Sequence, residues 1–199
     1  MNSLLKKENI TGLILAGGAG SRVSGQDKGL LHYRGQLMIE KQLDWLAGQV
    51  DSIVISANRN LDKYRSYGFP VVTDLTDEFS GPLHGINQGL QSCKTTHLYV
   101  DPVDVPFLPD NLVEQIISQL DEKYSNKLHD RAISCFLRSC EREHYLSMLI
   151  DQQYHVEMTE FLNRNKRKVS DFHKTIGSKA VDLGLAESVF ENLNYLQDY

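Results

Sequence analysis

Short β-branched runs alternate with amphipathic stretches up to about residue 138, and this alternation limits the possible folds more than any other feature. The largely apolar, β-branched-rich run Ile10-Thr11-Gly12-Leu13-Ile14-Leu15 stops at Ala16-Gly17-Gly18, the profile of a strand buried on both faces. Residues 38–50 then place Ile39, Leu43, Leu46 and Val50 at three- and four-residue steps, which predicts a helix with one apolar stripe. A second strand is expected over 52–56, a short helix within 60–67, a third strand over 70–74, and a proline-led helix over 82–90. A fourth strand over 96–100 and a helix over 108–120 follow. Strand and helix in strict succession build a parallel sheet with helices on its faces. The expected fold is therefore α/β, a Rossmann-like three-layer αβα sandwich with a mostly parallel central sheet. Beyond residue 138 the pattern loosens: 145–150 reads as a strand, 153–162 as a helix and 180–183 as a short strand, with their pairing left open.

Length and charge narrow the function classes. The chain has 199 residues and a net charge of −5, with no internal repeat or low-complexity linker. We expect a tail over 1–9 and one domain over 10–199, long enough to bury a core without disulfides. An acidic balance gives no electrostatic basis for holding a nucleic-acid duplex. Residues 1–10 lack the apolar core of a signal peptide, and no apolar run is long enough to cross a bilayer. Three cysteines without a C-x-x-C pair suggest neither a disulfide framework nor a zinc site. A cytoplasmic protein is expected.

The glycine-rich segment from Ala16 to Gly29 follows the first strand directly. In open α/β sheets the carboxyl ends of the strands line the ligand crevice, and glycines there let backbone N–H groups approach phosphate. Arg22 and Lys28 add two cations suited to a triphosphate. The spacing matches neither a P-loop nor a dinucleotide fingerprint. A surface loop whose glycines only make turns is the alternative.

Leu15-Ala16-Gly17-Gly18, Ser21-Arg22 and Asp27-Lys28-Gly29-Leu30 together resemble the L-A-G-G-x-x-x-R-M-G-x-D-K signature of nucleotidyltransferases of the glycosyltransferase-A type. The form of the motif is similar to that of molybdenum cofactor guanylyltransferases, the MobA family. Further motifs resemble that family in order and spacing: Ser56-Ala57-Asn58-Arg59, Val72-Thr73-Asp74, Gly81-Pro82-Leu83-His84-Gly85, Asp104-Val105-Pro106 and Phe190-Glu191-Asn192-Leu193-Asn194. Val23-Ser24 stands where the signature has Met-Gly, Tyr145 follows His144 where it has proline, and Tyr195-Leu196 replaces Thr-Pro.

The resemblance implies transfer of GMP from GTP to the molybdenum-molybdopterin cofactor. Arg22, Lys28 and Asp104 would be catalytic, and Mg²⁺ would sit on Asp104. GTP would contact Leu15, Ala16, Gly17, Gly18, Lys28, Ser56, Asn58, Asp74 and Asp104. The acceptor would contact Gly81, Pro82, Arg167, Asn192 and Asn194, with Arg164, Lys166 and Lys168 beside Arg167 as a basic cluster. Read as residues alone, Asp104 also suits a turn or N-cap, Asp74 a loop cap, and residues 164–168 a solvated face. Implied partners are molybdenum-insertion proteins and apo-molybdoenzymes, for a monomer or weak oligomer. A cytidylyltransferase or sugar-phosphate enzyme of the same fold, or a cofactor carrier without activity, are the alternatives.

Overall fold

A computed structural model describes residues 5–18, 25–75, 81–124, 132–140 and 142–193. Strand β1 (Ile10–Leu15) leads through a glycine-rich segment and a 3₁₀ turn (Lys28–Leu30) to a small hairpin, β2 (His32–Tyr33) and β3 (Gln36–Leu37). Then come α1 (Met38–Ala47), β4 (Ser52–Ser56), α2 (Leu61–Arg65), β5 (Val71–Val72), α3 (Pro82–Ser92) and β6 (His97–Pro102). The remaining elements are α4 (Leu112–Tyr124), β7 (Ser134–Ser139), β8 (Arg142–Asp151), α5 (His155–Asn163), α6 (Val169–Ile176) and β9 (Lys179–Asp182).

Seven strands form one sheet in the order β5-β4-β1-β6-β8-β7-β9. The pairings β4 with β5, β1 with β4, β1 with β6 and β7 with β9 are parallel, whereas β8 runs antiparallel to both β6 and β7. The chain winds from β1 outward to β4 and β5, then returns to place β6 on the other side of β1. That reversal opens a crevice at the carboxyl ends of β1 and β6, where α/β sheets bind their ligands.

Strict alternation of side chains sends each strand into two cores. Ile14, Ile55, Tyr99, Leu137 and Leu149 pack on one face with Leu43 and Leu46 of α1 and Ile116 of α4. Leu13, Val54, Val100, Phe136 and Met148 pack on the other with Ile86 of α3, Phe161 of α5 and Phe172 of α6. Three layers therefore follow from the two-sided burial that marks these strands in the sequence.

Several boundaries differ from expectation. The helix expected from residue 108 begins at Leu112, because the Pro109 carbonyl is taken up by the Leu112 N–H and by the indole of Trp45. The third strand is confined to Val71–Val72, and the segment expected as tail docks through Leu5, which is 1% exposed. Strand β7, hairpin β2–β3 and helix α6 have no counterpart in the sequence expectations.

Candidate active site

A cleft of about 480 Å³ opens at the carboxyl ends of the parallel strands. Leu15, Ala16, Gly17 and Gly18 enter it from the end of β1, Ser56 and Asn58 from β4 and the residues after it, and Asp74 from beyond β5. The first turn of α3 supplies Gly81, Pro82 and Gly85, the 3₁₀ turn supplies Lys28, and the segment after β6 supplies Asp104. Asn192 reaches it from far down the chain. Pro102, Val103 and Leu146 also line the walls, and sequence reading did not single them out. Leu146 belongs to antiparallel β8, whose place beside β6 no local pattern predicts. Arg22 and Asn194 lie outside the described residues.

The glycines allow close approach. A Cβ on Gly85 would clash with the Ser56 hydroxyl, so only glycine lets α3 pack this closely against the end of β4. That contact sets the width of the cleft between Ser56 and the first turn of α3. Pro82 occupies the first helical turn, where its missing N–H leaves no helical hydrogen bond unmade.

At one end of the cleft Lys28 Nζ lies 2.6 Å from Asp104 Oδ2. Asn192 Nδ2 donates to Asp104 Oδ1 at 3.1 Å, and the Leu193 N–H donates to the Asp104 carbonyl at 2.9 Å. Asp104 is thus gripped from two sequence-remote segments and is only 8% exposed. The chain around Asn192 is itself anchored: the Phe190 ring stacks on His144 at 3.9 Å between centroids, and Ser139 bridges His144 and Glu187.

At the other end Asn58 Nδ2 donates to Asp74 Oδ2 at 2.8 Å, while the Asp74 N–H donates to Asn58 Oδ1 at 2.9 Å. Asp74 Oδ1 is shielded from solvent and has no hydrogen-bond partner among the described residues. A shielded carboxylate oxygen left in this state costs free energy unless a ligand donor reaches it.

Beneath the loop after β6, Asp101 is buried and accepts from the Ser147 hydroxyl. Burial holds its carboxyl well above the usual carboxylate range. The hydroxyl of buried Tyr99 faces the same carboxyl.

Not every expected residue reaches the cleft. The Arg167 guanidinium donates to the carbonyls of Leu162 and Lys166 and to Asn165 Oδ1, so it closes the turn after α5 instead. Arg164 pairs with Glu160, Lys168 with Asp171, and Lys166 sits over the Phe161 ring. The basic run is spread over separate local contacts, and Arg167 is not part of the cleft lining. His84 is likewise absent from that lining, and burial together with Arg167 keeps its pKa below the ordinary histidine value.

Residues 12–176 match the model of the MobA-like NTP transferase domain. The chain belongs to this family. As a MobA-like protein it is a nucleotidyltransferase, and it is 35% identical over 201 residues to the molybdenum cofactor guanylyltransferase of Polynucleobacter asymbioticus, covering 96% of this chain and 94% of that one. The molybdenum cofactor guanylyltransferase of Haemophilus influenzae is 35% identical over 189 residues and 95% of each chain. Among solved structures, molybdopterin-guanine dinucleotide biosynthesis protein A from Archaeoglobus fulgidus superposes with a TM-score of 0.73 at 18% identity, over 94% of each chain. That likeness carries the MobA-like fold. Among the described residues no helix is long and apolar enough to cross a membrane.

MobA-like nucleotidyltransferases work with a divalent cation, and the donor set here fits one delivered with substrate. No cluster of three or more His, Cys, Asp or Glu able to hold a metal occurs among the described residues. A hard cation needs only one or two protein carboxylates when substrate phosphates supply the remaining oxygens. Asp104, on the cleft wall, offers such a carboxylate.

Proposed function

We propose that this protein transfers GMP from GTP to the molybdenum-bound molybdopterin, giving the guanine dinucleotide form of the cofactor and pyrophosphate. Asp74 Oδ1, without a partner among the described residues, carries the guanine assignment. A guanine edge presents N1–H and N2–H₂ as adjacent donors, and a carboxylate oxygen without a partner suits them. Asn58 fixes the other oxygen and so holds the carboxylate in orientation.

The triphosphate would lie toward Lys28 and the amides of Gly17 and Gly18. The acceptor's phosphate oxygen, already anionic near neutral pH, forms a bond to the α-phosphorus as the bond to the bridging oxygen breaks. Pyrophosphate leaves with that electron pair, and no general base is required. Catalysis is then alignment of the two anions and neutralisation of the leaving group. Lys28 would supply positive charge to the leaving phosphates and Asp104 would hold Mg²⁺, which when bound neutralises phosphate oxygens. Arg22 is assigned to the same task, and Gly81, Pro82 and Asn192 to the acceptor side.

The test is pyrophosphate release by purified protein with molybdenum-molybdopterin and Mg²⁺, comparing GTP with CTP. A strong preference for GTP is expected. Equal turnover of CTP would remove the guanine assignment, and no acceptor-dependent release from either nucleotide would remove the reaction itself.

A further inference from the structure

Arg59 contacts the loop that presents Lys28, although it follows a different strand. Its Nη1 and Nη2 donate to the carbonyls of Gly25 and Gln26, both at 2.6 Å. Its Nε lies 3.7 Å from Asp27 Oδ2, in a pair whose side chains are 28% and 4% exposed. One planar guanidinium therefore fixes three consecutive residues immediately before Lys28.

Asp27 is the centre of this arrangement. It accepts from the Tyr64 hydroxyl at 2.7 Å, from Asn60 Nδ2 at 2.9 Å and from the Gly29 N–H at 3.2 Å, the last capping the turn that bears Lys28. Tyr64 is fully buried, and a Cβ on Gly29 would collide with its hydroxyl. Arg59, Asn60 and Tyr64 all follow Asn58, the residue bonded to Asp74 at the opposite end of the cleft. A single stretch after β4 thus grips Asp74 through Asn58 and, through the next residues, the loop carrying Lys28.

We propose that Arg59 is a positioning residue for Lys28, with Asp27 and Tyr64 as its fixed counterpart, so that the segment contacting the base side also sets where the phosphate-side cation stands. The inference rests on the assignment of Lys28 to the triphosphate. Lysine cannot replace arginine here, because a point charge does not span two carbonyls and a carboxylate at once.

The test is a double-mutant cycle with Arg59→Lys and Lys28→Ala, read in kcat and in KM for GTP. Arg59→Lys is expected to lower kcat by about tenfold to a hundredfold, the scale for a misplaced reacting group. KM for GTP should stay nearly constant, because Asn58 and Asp74 are untouched. In the Lys28→Ala background the Arg59→Lys change should add no further loss, since groups acting as one unit are not additive. A full multiplicative loss in the double variant overturns the inference and leaves the assignment of Lys28 standing. If Lys28→Ala turns over normally, the assignment and the inference both fall. Tyr64→Phe keeps the buried ring and removes only the bond to Asp27; the same cycle with this variant decides the matter if Arg59→Lys melts below the assay temperature.

Discussion

Lys28 and Asp104 stand 2.6 Å apart and 76 residues apart in sequence, each holding the other's charge at one end of the cleft. On the proposed reading a Mg²⁺-nucleotide would offer phosphate to the first and a cation to the second, so that binding would exchange one ion pair for two. We expect Asp104→Ala to abolish turnover and Lys28→Ala to cost about 2 to 4 kcal/mol in transition-state stabilisation, by comparison with lost oxyanion donors. Near-normal GTP-dependent pyrophosphate release from Asp104→Ala would contradict the metal assignment.

Base selectivity should depend on Asp74. Replacing it with Asn removes the charge while keeping a partner for Asn58. Hydrogen bonds to charged groups contribute about 1.5 to 3 kcal/mol, so KM for GTP should rise by roughly tenfold or more with a much smaller effect on CTP. Competition kinetics between the two nucleotides measures this directly, and an unchanged ratio would remove Asp74 from base recognition.

Asp101 makes stability fall as pH rises. Burial raises its folded pKa above the unfolded value of about 3.9, so between the two the folded state binds the extra proton. Its stabilising contribution is full below the unfolded value and is lost as pH climbs through the folded one. Asp101→Asn removes that titration. The variant should gain stability relative to the parent in urea melts at pH 8, and the gain should shrink toward pH 4; a gap independent of pH would refute the buried-acid reading.

His173 acts in the opposite direction. It is 2% exposed, with Nε2 donating to the Tyr145 carbonyl and Nδ1 accepting from the Ser178 hydroxyl, and burial keeps its pKa below 6.5. Stability it contributes is complete above the unfolded pKa and is lost as pH falls from there through the folded pKa. His173→Gln should flatten the acid side of the stability profile, as followed by thermal melts from pH 7 down to pH 5.

Gly85→Ala should injure both fold and site, because its methyl would meet the Ser56 hydroxyl. Overpacking of this kind costs about 1 to 3 kcal/mol. Combining it with Ser56→Ala should restore part of the lost melting temperature. An effect equal in both backgrounds would mean that the contact is not the cause.

The half of the sheet that holds the cleft is readable because its strands are largely buried on both faces: Ile10–Leu15 and Ser52–Ser56 are short, mostly apolar, β-branched-rich runs followed by glycine or polar residues. Residues at those strand ends were readable for the same reason, since sheet topology brings strand ends together whatever the loops do. Ser139, His144 and Glu187 are different. Ser139 and His144 meet across the tight hairpin of β7 and β8, but Glu187 reaches them from 48 residues further along the chain, which no local pattern announces. Arg167 caps the carbonyls of Leu162 and Lys166, a contact that charge clustering in the sequence does not foretell. Asn60, at the N-cap of α2, and Tyr64 within it both reach Asp27, a convergence that no local pattern announces.

The hold of Asn192 and Leu193 on Asp104 has a consequence for biosynthesis of the protein itself. A ribosome makes the chain from the amino end, so β1, the glycine-rich loop and β6 emerge long before residue 192. A nascent chain stalled after β9 would already be able to pair Lys28 with Asp104, yet one side of the carboxylate would still be unclasped. Because Asn192 and Leu193 follow every strand of the sheet, the clasp on Asp104 closes only after all seven strands have been made.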